Sequence, residues 1–257
     1  MTSAVAPRGA AGRAEHRARS AARPPVDLRD LLPAEVPRQG MRPLCLPFAL
    51  TGGHEAARCD EDEPPTPLAP EPLWWWCVQN GHAHPGGTLL EHAGAALVDS
   101  GQVDLTEWPY NPQLGYSTEP PPEPCGSPPW QRARWREVAL AHDGVEDELE
   151  DLLFAGYPVL LVVEVTEAFA DPDPDGSVHT PSLRAAPGDY HAVLVVGAAT
   201  DPDHGRRLLV RNSWGEGWGA GGYCWLPLTY LIAFAPQAAI VFTDTTSDGA
   251  EVIASAI

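Results

Sequence analysis

Apolar residues change their spacing along this chain, with helical periods in the first half and near-continuous or alternating runs in the second. Residues 26–44 read as an extended lead-in broken by Pro33, Pro37 and Pro43. An apolar stretch then predicts a helix over 45–57, which Gly52 and Gly53 are expected to end early or weaken. LWWWCV, from Leu73, predicts a second helix; at ~100° per residue its three adjacent tryptophans cannot share one face. Leu89 to Ser100 is amphipathic and stops at Gly101. The stretch 134–155 also reads as helical, its acidic residues interleaved with Val145, Leu149, Leu152 and Leu153. Strands are expected over 158–165, 191–197, 207–212, 223–227 and 238–243. Helices early and strands late argue an α+β fold with two lobes.

Between these elements, residues 60–72 form an acidic, Pro-rich loop, and 117–130 a Pro-rich linker or rigid crossing. DPDPDG, from Asp171, interleaves acids with prolines and lacks the closing Glu of a calcium loop, so it reads as loop. The expected organisation is a disordered basic tail over 1–25, a helical lobe over 26–130, a β-rich lobe over 131–245 and a C-terminal tail over 246–257.

Composition narrows the partners. Sixteen basic against 35 acidic residues give a formal charge of −19, which argues against nucleic acid. No apolar run reaches the ~18 residues of a membrane span, so no membrane partner is expected. Five cysteines, an odd number, do not describe a secreted disulfide framework, and residues 1–25 lack the apolar core of a secretory signal. A cytoplasmic protein is the expectation.

The chemistry sits in NSWGEGWGAGGY, residues 212–223. A polar Asn followed by Trp and five glycines is an unusual way to write a strand, since each glycine costs backbone entropy. One reading accounts for the set. Asn212 orients the imidazole of His191 in the upstream run DYHAVLVVG, Trp214 shields that hydrogen bond from water, and the glycines let tight turns pass close by. An imidazole held this way needs a nucleophile, and Cys45 stands far upstream. Taken singly, a Cys or a His is most often structural; order and separation together give the pattern its weight.

This Cys-His-Asn arrangement resembles that of papain-like cysteine peptidases. NSWGEGWGAGGY resembles their Asn-Ser-Trp-Gly signature, HAVLVVG their histidine strand, and VDLRD, from Val26, the start of the mature domain in bacterial members. Gln39, six residues before Cys45, stands where the family places its oxyanion-hole glutamine. The likeness covers roughly residues 26–243 and implies a papain-like two-lobed fold with the active-site cleft between the lobes. It implies Cys45, His191, Asn212 and Gln39 as catalytic residues of a thiol hydrolase acting on a peptide or protein, with no cofactor. It also implies that Gly86 and Gly87 present backbone to an extended substrate. No room is left for the long inhibitory propeptide of secreted members.

The chain departs from the family around the nucleophile. It reads RPLCLP, so Pro43 and Leu44 replace small residues beside the primary specificity site and Leu46 replaces an aromatic. Altered substrate approach and narrow specificity follow as expectations. Acyl transfer or deamidation at the same site is the alternative activity, and a non-catalytic peptide-binding relative the alternative class. Cys77, His82, His84 and His92 match no standard zinc-ligand spacing, so no metal is expected.

Overall fold

The computed structural model describes residues 22–60, 64–140, 144–181 and 189–243. Most of the basic tail and the whole of the C-terminal tail expected from the sequence lie outside them. Three helices come first: α1 (Cys45–Arg58), α2 (Glu71–Gln79) and α3 (Leu90–Asp99). The strands are β1 (Val26–Asp27), β2 (Arg134–Val138), β3 (Val159–Glu164), β4 (Tyr190–Asp201), β5 (Gly205–Arg211), β6 (Tyr223–Pro227) and β7 (Gln237–Phe242). Helices α4 (Val145–Phe154), α5 (Glu167–Ala170) and α6 (Leu228–Phe234) sit among them. The strands pair antiparallel in the order β2-β7-β3-β4-β5-β6, with β1 added to β4.

The pleat divides this sheet between two cores. Side chains alternate across a strand, so β3 sends Leu160 and Val162 to one face and Val159, Leu161 and Val163 to the other. Strand β7 does the same with Ala239 and Val241 against Ala238 and Ile240. Helix α1 covers the first face, where its Leu46, Ala49 and Leu50 meet Ala192 and Leu194 of β4. Helices α4 and α6 cover the second through Leu149, Leu153, Tyr230 and Phe234. Burial on both faces explains why the central strands read as unbroken aliphatic runs.

Three expectations are corrected. Gly52 and Gly53 do not stop α1, which runs on to Arg58. They are where the helix presses onto the sheet: a Cβ at Gly52 would lie 2.9 Å from Leu194, and one at Gly53 2.9 Å from Val241. Close packing offsets the propensity cost of glycine there. The stretch 134–155 is not one helix. Its first part is β2, whose five residues pair with β7 in unbroken register, and only Val145–Phe154 is helical. Pairing and the burial of Trp135 against the first core override local pattern. Finally, Arg23, expected in the disordered tail, is seated on α4, where it contacts Asp147, Glu150 and Asp151.

The tryptophan run resolves as geometry requires. Trp74 is fully buried with Leu44 and Phe48, Trp75 packs with Trp108 and Trp130, and Trp76 joins the core under α1. Among the described residues no helix is long and apolar enough to cross a membrane.

Candidate active site

Cys45 is the first residue of α1, and no side chain caps that helix end. The leading N–H groups of an α-helix have no intrahelical partner and carry partial positive charge. The Cys45 sulfur lies close to them, and the backbone N–H groups of Ala192, Leu46 and Cys45 favour its charged form. Ala192 follows His191 on β4, so the nucleophile candidate is docked against the histidine strand. Burial pushes the Cys45 thiol up, and these three N–H groups oppose that rise.

His191 lies near the start of β4 and is almost fully buried. Its Nε2 is 2.6 Å from Asn212 Oδ1, and the same oxygen accepts the Ser213 backbone N–H at 2.7 Å. An amide oxygen only accepts, so Nε2 carries the proton and Nδ1 keeps its lone pair. Burial pulls the imidazole down to about 4 against the opposing pull of the Asn212 hydrogen bond, so the resting ring is neutral at pH 7.

Aromatic rings seal this pair. Trp214 lies over His191 with centroids 4.6 Å apart, and Trp218 meets Trp214 edge-on at 5.5 Å. Phe169 of α5 completes the cover, 5.8 Å from Trp214 and 5.3 Å from Trp218. Trp214 thus occupies the shielding position expected of it; Phe169 and Trp218 were not anticipated, although the WGEGW spacing carried the second. The glycine run serves close approach, since a Cβ on Gly219 would sit 2.3 Å from the Tyr223 carbonyl oxygen.

Gln39 is buried beside the site with its carboxamide fixed at both ends. Its Oε1 accepts the Ser213 hydroxyl at 2.6 Å, and its Nε2 donates to the Arg42 carbonyl at 2.9 Å. One of two amide hydrogens remains for another acceptor. The lead-in around it is laced to the Asn212 loop: Gln39 N–H bonds the Ser213 carbonyl at 2.8 Å and Gly215 N–H the Pro37 carbonyl at 3.0 Å. The two segments of the site are therefore registered to each other by backbone.

Arg42 gives no sign in the sequence of being interior, because a single arginine reads as surface. Its fully buried guanidinium pairs with Glu71 of α2 and donates to the Asn111, Gly115 and Ser117 carbonyls at 2.9, 2.9 and 3.0 Å. Leu44, expected with Pro43 to alter substrate approach, is fully buried against Phe48 and Trp74. Pro43 is half-buried, and its carbonyl lies 3.5 Å from where a Gly87 Cβ would be. Gly87, at φ +120°, adopts a conformation side chains rarely accept, and Gly86 faces open space. Gly87 thus borders the segment that leads to Cys45.

No group of three or more metal-ligating side chains comes together among the described residues. His82 and His92 stack face to face at 3.8 Å, with Trp76 on His82, which is a packing arrangement.

The site geometry has counterparts. Over residues 26–229 the chain matches the family model of papain family cysteine proteases. It is 26% identical over 209 residues to a cathepsin L-like protein of Caenorhabditis elegans, covering 77% of this chain and 57% of that one. An uncharacterized peptidase C1-like protein of Acanthamoeba polyphaga mimivirus is 28% identical over 161 residues, 60% of this chain and 50% of that protein. The chain thus spans little more than half the length of these curated relatives. Among solved structures it resembles xylellain, a cysteine protease from Xylella fastidiosa, with a TM-score of 0.70 at 22% identity over 88% of both chains. Digestive procathepsin L 3 of Tenebrio molitor gives 0.67 at 24% identity, covering 87% of this chain and 72% of that one. These two share the two-lobed α+β fold, and the family match across most of the sequence places this chain in the papain family of cysteine proteases.

Proposed function

We propose that this protein is a thiol hydrolase that cleaves a peptide or isopeptide amide through an acyl-enzyme on Cys45. The observation that carries this reading is the His191–Asn212 hydrogen bond, which leaves Nδ1 basic on the strand against which Cys45, at a helix N-terminus, is packed. Burial disfavours either charge alone, so the proton passes from sulfur to Nδ1 as the thiolate attacks the carbonyl. The carbonyl oxygen becomes an oxyanion, met by the Cys45 N–H and the second hydrogen of Gln39 Nε2. His191 returns its proton to the leaving amine, then takes one from water to release the acid and restore the thiol. Asn212 holds the ring in its tautomer, and Trp214 keeps water from that hydrogen bond.

Gly86 and Gly87 suit a backbone-pairing role for an extended substrate, since neither carries a side chain to obstruct it. The cytoplasmic assignment belongs to the same proposal and is supported by the odd number of cysteines; cell fractionation checks it.

Iodoacetamide labelling at about pH 6 tests the mechanism, because an ordinary thiol reacts slowly there. Cys45 is expected to label ahead of Cys59 and Cys125 and to lose that lead in His191→Ala. Equal labelling of the three would overturn the reading. Mass spectrometry of products formed with added amines then separates hydrolysis from transfer.

A further inference from the structure

Gln39 is held through every polar group it carries. Its N–H donates to the Ser213 carbonyl at 2.8 Å, and its own carbonyl accepts the Tyr110 hydroxyl at 2.7 Å. In the side chain, Oε1 accepts the Ser213 hydroxyl at 2.6 Å and Nε2 donates to the Arg42 carbonyl at 2.9 Å.

The two side-chain partners differ in what they tolerate. A hydroxyl donates or accepts, so Ser213 would serve either end of the carboxamide. A carbonyl only accepts, so the Arg42 oxygen would face Oε1 of a flipped amide with no hydrogen between them. Such a flip would also put an oxygen lone pair where the second Nε2 hydrogen is offered now. The Arg42 carbonyl therefore decides which way Gln39 points.

That carbonyl belongs to a residue anchored in the interior. All five N–H donors of the Arg42 guanidinium are used, two on the oxygens of Glu71 and three on the Asn111, Gly115 and Ser117 carbonyls. The guanidinium also lies over Tyr110, the ring whose hydroxyl holds the Gln39 backbone. A rigid fork with every donor engaged has little freedom to shift. We propose that Arg42 is a positioning residue for the reaction, its buried guanidinium fixing the carbonyl that aims Gln39 Nε2 at the oxyanion. Arg42 acts this way only if Gln39 is the oxyanion donor of the proposed mechanism.

Turnover of a dipeptidyl coumarylamide, measured in the parent background and in Gln39→Ala, tests this. Arg42→Lys keeps a cation opposite Glu71 but loses the fork. Arg42→Met with Glu71→Leu removes the anchor without stranding a charge. In the parent background each should lower kcat about tenfold, with KM changed by no more than about twofold. In Gln39→Ala neither should lower kcat further, because the amide that Arg42 aims is gone. Equal losses in both backgrounds, or no loss in the parent background, would overturn the assignment. Full activity of Gln39→Ala itself would instead refute Gln39 as the donor, and the role of Arg42 with it. Hydrogen exchange of the Gln39 carboxamide, followed by NMR, reads the same anchor without turnover. It should be at least about tenfold faster in both Arg42 variants, and an unchanged rate would overturn the assignment.

Discussion

Arg42, three residues ahead of Cys45, and Glu71 form an ion pair that is sealed from water, each 1% exposed. The Arg42 guanidinium also lies 5.0 Å from the Tyr110 ring centre, and the Tyr110 hydroxyl donates to the Gln39 carbonyl at 2.7 Å. One buried cation thus joins α2, the Asn111–Ser117 loop and the lead-in to Cys45. Arg42→Met strands a buried carboxylate and is expected to cost about 3–5 kcal/mol in urea unfolding. Arg42→Met with Glu71→Leu should recover much of that loss, because the desolvated charge goes with its partner. A double variant no more stable than the single one would show that the carbonyl contacts dominate.

Gln39 and Asn212 separate in kinetics. With Gln39 as the proposed oxyanion donor, Gln39→Ala should lower kcat about 100- to 1000-fold, and an unchanged kcat would refute that role. Asn212→Ala leaves the ring free to turn and should lower kcat by about 100-fold with little change in Tm. A large fall in Tm at an unchanged rate would make Asn212 structural instead.

Gly94 on α3 touches Trp135 of β2, and a Cβ there would come 2.2 Å from the indole Cε2. Alanine normally helps a helix by about 1 kcal/mol. Here the indole must move, at about 1–3 kcal/mol for overpacking a core. Gly94→Ala is therefore expected to lower Tm, and a gain in Tm would mean that the ring yields freely.

His54 is buried on α1, with Nδ1 2.9 Å from Gln102 Oε1, and burial holds it down at about 4. Its folded value lies below the ordinary 6.5, so the unfolded chain binds the proton more readily. Its contribution is full above pH 6.5 and fades as pH falls through 4, by roughly 3 kcal/mol at the acid end. Denaturant curves from pH 7 to pH 4 should therefore fall less steeply in His54→Gln than in the parent protein. Parallel slopes would mean that His54 has no part in acid lability.

Most of the candidate site was legible because it is written in rare residue types. Asn212, Trp214 and the glycines form a block that ordinary strands and turns have little use for, and His191 sits in an aliphatic run long enough to be a buried strand. The misreadings share a cause, which is that local pattern ignores what packs against it. Arg134–Val138 became a strand because β7 offered it an edge, and Gly52-Gly53 stayed helical because the sheet needed the room. Leu44 was read as bordering the specificity site because its burial against Phe48 and Trp74 leaves no trace in the local sequence. Arg42 was invisible because its partners, Glu71 and three carbonyls, are spread over distant parts of the chain.

The tryptophans of α2 have a consequence for how the helical lobe comes apart. Each of the three plugs a separate hydrophobic mass, so this short element works as a common rivet. Twisting it by one residue would unseat all three at once. Loss of this one helix would therefore uncover three hydrophobic masses together, the one beneath the thiol among them.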